Sequence, residues 1–183
     1  IADTHTVDDD GPADFSSIQD AIDAASDGDL ILVAHGTYVG VGNAVVNPLG
    51  KRLEIHGDLN APMLTIIDGQ GARRGITFEN GETDQTLFSG FAVVNCQAPL
   101  EDWDGNGNIS YWERHGGGII TRNGSSPKIR HCFMMENRAE YGGGMYNGDS
   151  GGSQCNPTVE SCRFIGNHAG PKISVGGGVY NYD

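Results

Sequence analysis

Apolar residues in the second half of the chain fall into short alternating stretches rather than helical stripes. Residues 129–134 read I-x-x-C-x-M and residues 159–164 read V-x-x-C-x-F, each with one irregular step, and glycine and proline flank both. Alternation of this length between Gly and Pro punctuation is the pattern of short β-strands. No stretch of this region holds a helical period over three turns. The two stretches are copies: Pro127 and Pro157, Cys132 and Cys162, and Asn137 and Asn167 all stand 30 residues apart. Glycine triplets at 116–118, 142–144 and 176–178 each precede an apolar residue, in GGGII, GGGMYN and GGGVYN. A looser copy, LFSGFAVVNCQAPL, aligns Phe91 with the two cysteines and Cys96 with the two asparagines.

A copy of this size cannot bury its own apolar face, whereas stacked copies share a continuous core. The pattern therefore predicts parallel stacking, with like residues above one another. Asn137 over Asn167 predicts a side-chain amide ladder at a tight turn. Cys132 over Cys162 predicts an internal thiol stack at the strand spacing of about 4.8 Å. That arrangement favours free thiols over a disulfide.

The first third is patterned differently. Ser16-Ser17-Ile18-Gln19 has the S-x-x-Q form of a capping box, and Ile18, Ala21, Ile22 and Ala25 then fall on one helical face. Asp27-Gly28-Asp29 ends this segment, and the apolar run at 30–34 predicts a buried strand. A short amphipathic helix over 14–29 is expected to lie across the open end of the stack and cover its edge.

On these residues the chain resembles a known family. DGPADFSSIQDAIDAASDGDLILVAHGTY looks like the N-terminal cap and first coil of right-handed parallel β-helix proteins of the pectin-lyase-like type, and KRLEIHGD with LTIIDGQG resembles their next coil. GGGMYN and FIGN are similar to the repeats of bacterial surface β-helix proteins. The resemblance implies an all-β, right-handed parallel β-helix (solenoid) with a short capping helix, as one domain over 1–183. It implies less about activity, because the fold carries lyases, hydrolases, adhesins and structural modules alike.

Composition narrows the partners. The net charge is −13, with eleven Lys and Arg scattered along the chain, so no basic stripe is available for nucleic acid. No apolar run approaches the roughly 20 residues of a membrane span, and no charged leader precedes an apolar stretch. The four cysteines show no zinc-ligand spacing. Four cysteines allow three pairings, and spacing alone does not choose among them.

One segment departs from the β pattern. Residues 101–113 read EDWDGNGNISYWE. From Asp102 they match D-x-[DN]-x-[DN]-G-x5-E, the calcium loop of an EF-hand. Asp102, Asp104 and Asn106 offer oxygens at positions 1, 3 and 5, and Gly107 permits the sharp turn. Asn108 offers its carbonyl, Ser110 acts directly or through water, and Glu113 closes the site with both oxygens. Pro99 before the loop and the glycine triplet after it leave no room for paired EF-hand helices. The expectation is a structural Ca2+ site in an insertion over 99–115, followed by Gly-rich repeats over 116–183.

No catalytic set is recognisable. The family's lyases use acidic calcium ligands with an Arg or Lys base, and its hydrolases use clustered aspartates, and neither set can be placed here. Arg73-Arg74 is the best basic pair for an acidic sugar, but beside Gly71 a solvated pair is expected. None of His56, His115, His131 and His168 has an obvious carboxylate partner. The C-terminal repeat breaks off at GGGVYNYD without a closing cap, which leaves an end open for pairing. The leading expectation is thus an extracellular or cell-surface structural module, stabilised by calcium. It would assemble end to end with itself, or with other repeats of a longer surface protein, as a filament or adhesin segment. The alternative is a polysaccharide lyase or hydrolase, or a glycan-binding module without turnover.

Overall fold

A computed structural model describes residues 2–99, 111–148, 153–170 and 176–182, with side chains at 111 and 112 excepted. The chain winds as a parallel β-solenoid of about five turns. Strand β1 (Thr4–Val7) and helix α1 (Ile18–Ala24) come first. Coil one is β2 (Leu30–Val33), β3 (Gly36–Tyr38) and β4 (Ala44–Val46). Coil two is β5 (Glu54–His56), β6 (Thr65–Asp68) and β7 (Arg74–Phe78). Coil three is β8 (Leu87–Ser89), β9 (Ala92–Val94) and β10 (Ile119–Thr121). Coil four is β11 (Lys128–Arg130), β12 (Phe133–Met135), β13 (Arg138–Ala139) and β14 (Met145–Asn147). Coil five is β15 (Thr158–Glu160), β16 (Arg163–Ile165), β17 (His168–Ala169) and β18 (Val179–Asn181). Corresponding strands pair in parallel to form three long sheets, with β13 and β17 as a short fourth.

In-register stacking turns alternation into columns. Ile31, Ile55, Phe88 and Ile129 stand above one another in the first sheet and are wholly buried, as are Ile67, Val93 and Met134 in the second. The irregular step in each repeat is a corner between sheets. Gly90, His131 and Ser161 occupy it in successive coils with φ of 81°, 51° and 53°, in the left-handed region. The glycine triplets mark another corner and answer to a steric demand. A Cβ on Gly118 would stand 2.5 Å from the carbonyl oxygen of Gly144, and one on Gly144 would stand 2.5 Å from that of Gly178. Successive coils approach too closely there for any side chain.

The predicted ladders form. Asn137 Nδ2 donates to Val93 O at 2.9 Å and to Asn167 Oδ1 at 3.0 Å, and Asn137 Oδ1 accepts from Cys96 N at 2.9 Å. Asn167 repeats the pattern one coil on: its Oδ1 accepts from Asn137 N at 3.1 Å and its Nδ2 donates to Met134 O at 2.8 Å. Phe91 and Cys96 hold the coil-three places of Cys132 and Asn137, as the alignment requires. All four cysteines are free thiols, and burial pushes the Cys132 thiol well above its ordinary range.

The N-terminal expectations need correction. A strand, β1, precedes the helix and extends the first sheet by pairing with β2. The helix is shorter than 14–29, and its N-cap is Ser17, whose hydroxyl accepts from Asp20 N. Gln19 does not close a capping box. It exchanges hydrogen bonds with the backbone of Asn47 at 2.8 and 3.1 Å, tying the helix to the loop after β4. The apolar run at 30–34 alternates, with Leu32 turned to solvent, because this sheet has an outer face open to water. No helix among the described residues is long and apolar enough to cross a membrane.

Candidate functional site

Five of the expected calcium ligands, Asp102, Asp104, Asn106, Asn108 and Ser110, lie outside the described residues. The sixth, Glu113, lies inside them, in the 3-10 turn Tyr111–Arg114 where the insertion returns to the solenoid. Its side chain is buried, unlike that of an acid in a plain surface turn.

The anchor beneath Glu113 is Arg74. Far from being solvated, Arg74 is among the largest fully buried side chains. Strand β7 is buried along its whole length, so its arginine is enclosed with the core. Nη2 of Arg74 donates to Glu113 O at 2.9 Å, and Nε donates to His115 O at 2.9 Å and Gly116 O at 3.0 Å. These bonds gather the carbonyls of the return segment onto one planar donor. Burial lowers the Arg74 pKa to about 9, and the nearby carboxylates of Glu79 and Glu113 oppose that shift. Arg73 is only partly buried and bonds Gly42 O and Gln70 Oε1, so the two arginines form no common grip on a sugar.

Around this anchor the return segment packs on the outer face of the third sheet. The His115 ring lies edge-on to Tyr141 at 4.8 Å and 4.3 Å from Tyr146, and Tyr146 stacks on Tyr180 at 5.7 Å. Burial, aided by the positive charge of Arg74, lowers the His115 pKa to about 3, so the ring is neutral at pH 7. Arg114 pairs with Glu140 at 3.3 Å, and Arg122 binds Glu79. The base of the insertion is therefore fixed by a cation, an aromatic cluster and two ion pairs.

Pattern reading missed other polar residues with structural work. Glu82 is buried and accepts from Gly50 N at 2.9 Å, Asn80 N at 3.0 Å and Ser125 Oγ at 2.8 Å, linking three turns. Asp29 accepts from Ser26 N at 2.8 Å, Asp3 N at 2.8 Å and His5 Nε2 at 3.1 Å, and these bonds hold its pKa down to about 2. Two histidines gain carboxylate neighbours that spacing did not reveal: His56 meets Glu54 at 3.2 Å and His168 meets Glu136 at 3.6 Å. Each pair comes from local folding or coil stacking, which sequence distance does not encode. Among the described residues, only Asp8, Asp9 and Asp10 bring together three acidic groups able to hold a metal. They are largely exposed, and Asp8 and Asp9 already accept backbone N–H groups of Gly11 and Thr37.

Comparison with known proteins returns no matching family model, no matching curated protein and no matching solved structure.

Proposed function

We propose that this chain is an extracellular or cell-surface structural and assembly module, a short β-solenoid whose acidic insertion holds one Ca2+ through Asp102, Asp104, Asn106, Asn108, Ser110 and Glu113. The observation that carries the reading is how polar side chains are used. Arg74, Glu82, Asp29, Asn137 and Asn167 are directed at backbone groups of neighbouring segments, where they stitch coils together. The donor set of the insertion is all oxygen and carries net negative charge, which suits a hard divalent cation. Glu113 is compatible with this reading, since Arg74 holds its backbone carbonyl where the insertion returns to the solenoid.

Thermal melting in calcium and in excess chelator tests the ion. Calcium at a hundredfold excess over Kd adds about 2.7 kcal/mol of stability, so chelator lowers Tm and Glu113→Gln reproduces much of that loss. Identical melting in both conditions sinks the calcium reading. Negative-stain microscopy tests assembly: filaments in calcium that dissolve in chelator support it, and compact monomers in both remove it.

A second reading, a glycan-binding module, draws on a groove of about 440 Å³ lined by Gly71, Asn95, Cys96, Gln97, Glu136 and Arg138. The exposed Arg138 guanidinium suits a sugar carboxylate, and the Glu136 carboxylate is an acceptor for sugar hydroxyls. Binding to an acidic glycan that is lost in Arg138→Ala supports this reading. Release of unsaturated products moves it to a lyase.

A further inference from the structure

The outer face of the first sheet carries polar side chains that use their hydrogen bonds differently from those inside the stack. Leu32, His56, Ser89 and Arg130 stand in one outward column, one residue from each of the first four coils. Ser89 Oγ lies 2.7 Å from His56 Nδ1, and His56 Nε2 lies 3.2 Å from Glu54 Oε2. The two bonds fix one proton arrangement. Glu54 accepts from Nε2–H, so Nδ1 carries the lone pair and accepts from the Ser89 hydroxyl. Arg74, Glu82, Asp29, Asn137 and Asn167 all bond backbone groups of neighbouring segments. Among the described residues the side chains of Glu54, His56 and Ser89 bond only one another and no backbone group. Coil stitching therefore does not explain them.

We propose that Ser89, His56 and Glu54 form a hydrolytic site for carboxylic esters with a short acyl chain. Ser89 is the nucleophile, His56 the general base and Glu54 a positioning residue that holds the imidazole. The hydroxyl proton passes to Nδ1 as Oγ bonds to the ester carbonyl carbon. The tetrahedral adduct collapses with cleavage of the ester C–O bond, and the leaving alcohol takes the proton from Nδ1. Water then gives a proton to the same nitrogen as it attacks the acyl group, and Ser89 leaves with that proton, so ester and water become acid and alcohol. Arg130 stands next to Ser89 in the column, with Nε 2.8 Å from Glu160 and no hydrogen bond from its terminal nitrogens among the described residues. That leaves a cation for the developing oxyanion. Ser89 is 2% exposed between His56 and Arg130. The Arg130 side chain is itself 39% exposed, and its outward turn uncovers Oγ while the guanidinium stays over the face. Leu32 beside His56 and Leu87 beside Glu54 offer only a shallow apolar shelf, which suits a short acyl group.

This site depends neither on the ion nor on assembly. It is tested on the full chain with a fluorophosphonate probe, which phosphonylates an activated serine oxygen with loss of fluoride, and with 4-nitrophenyl acetate as substrate. The expected result is a label on Ser89, located by peptide mass spectrometry, and ester hydrolysis that Ser89→Ala abolishes. His56→Gln is expected to slow labelling and hydrolysis about 100-fold or more, the range of a general base. Glu54→Gln, made on a side chain that is 61% exposed, is expected to lower kcat about tenfold with KM and Tm unchanged. A merely structural Glu54 would move Tm and leave kcat alone, and that result removes its positioning role. No label on Ser89, or a label that forms equally fast in His56→Gln, overturns the proposal. Hydrolysis that survives Ser89→Ala also overturns it, by assigning turnover to other side chains. All rates are measured in calcium and in chelator, so that failure of the ion site and failure of the hydrolytic site are read separately.

Discussion

The first and the last described coils are covered differently. At the N-terminal end, α1 lays Ile18, Ala21 and Ile22 across the core, all at most 2% exposed, and β1 continues the first sheet. Coil five, the last described coil, keeps the Pro, Cys, Asn and glycine-triplet places of coil four, yet its inward side chains stand open. The contrast shows that a coil does not bury its own core residues. Each coil is buried by the next, so residues at equivalent register positions carry different energies according to where they stand in the stack.

The largest effect that sharpens this contrast comes from paired truncations. Ile129→Ala is expected to cost about 2–5 kcal/mol, because it empties a fully buried site. Val159→Ala, at the same register position one coil later, costs under about 1 kcal/mol. Equal losses in denaturant melts would mean that coil five is already covered. Next come the glycines: Gly144→Ala drives a Cβ against the Gly178 carbonyl and costs about 1–3 kcal/mol. Gly178→Ala, with room for its Cβ, is neutral within about 0.5 kcal/mol. Asn137→Ala leaves two backbone groups of coil three, Cys96 N and Val93 O, without their side-chain partner and costs roughly 1–3 kcal/mol, more than Asn167→Ala at the half-open corner. The smallest effect belongs to the other end. The Asp29 pKa lies near 2, below its ordinary 3.8, so its contribution is complete above about pH 4 and is lost as pH falls towards 2. Asp29→Asn flattens that part of the stability profile, and a profile unchanged by the substitution would show that Asp29 does not anchor the N-terminal end.

The solenoid was legible in the sequence because stacking in register repeats residue types at a fixed period. Pro, Cys and Asn 30 residues apart announced parallel coils, and even the asparagine ladder could be assigned in advance. The irregular step at His131, visible in the sequence only as a break in the alternation, is where the chain turns between sheets. What stayed hidden depends on contacts made across coils. Arg74 beside Gly71 reads as a surface residue until the return of the insertion covers it. Glu82 has no periodic signature, because its partners at Gly50 and Ser125 belong to different turns. Strand β1 was obscured by its polar residues, Thr4 and Thr6, which face water at the end of a sheet. The loop pattern singled out Glu113 as an expected ligand, but nothing in it signalled the attachment of its backbone to the core through Arg74.

The same asparagine contact is spanned by 41 residues between Cys96 and Asn137 and by 30 between Asn137 and Asn167. The corner after β9 thus acts as an expansion joint: chain can be fed in there without shifting which residues face inward in any coil. Variation at that joint is free to change what the protein presents to its surroundings while the scaffold beneath keeps its register.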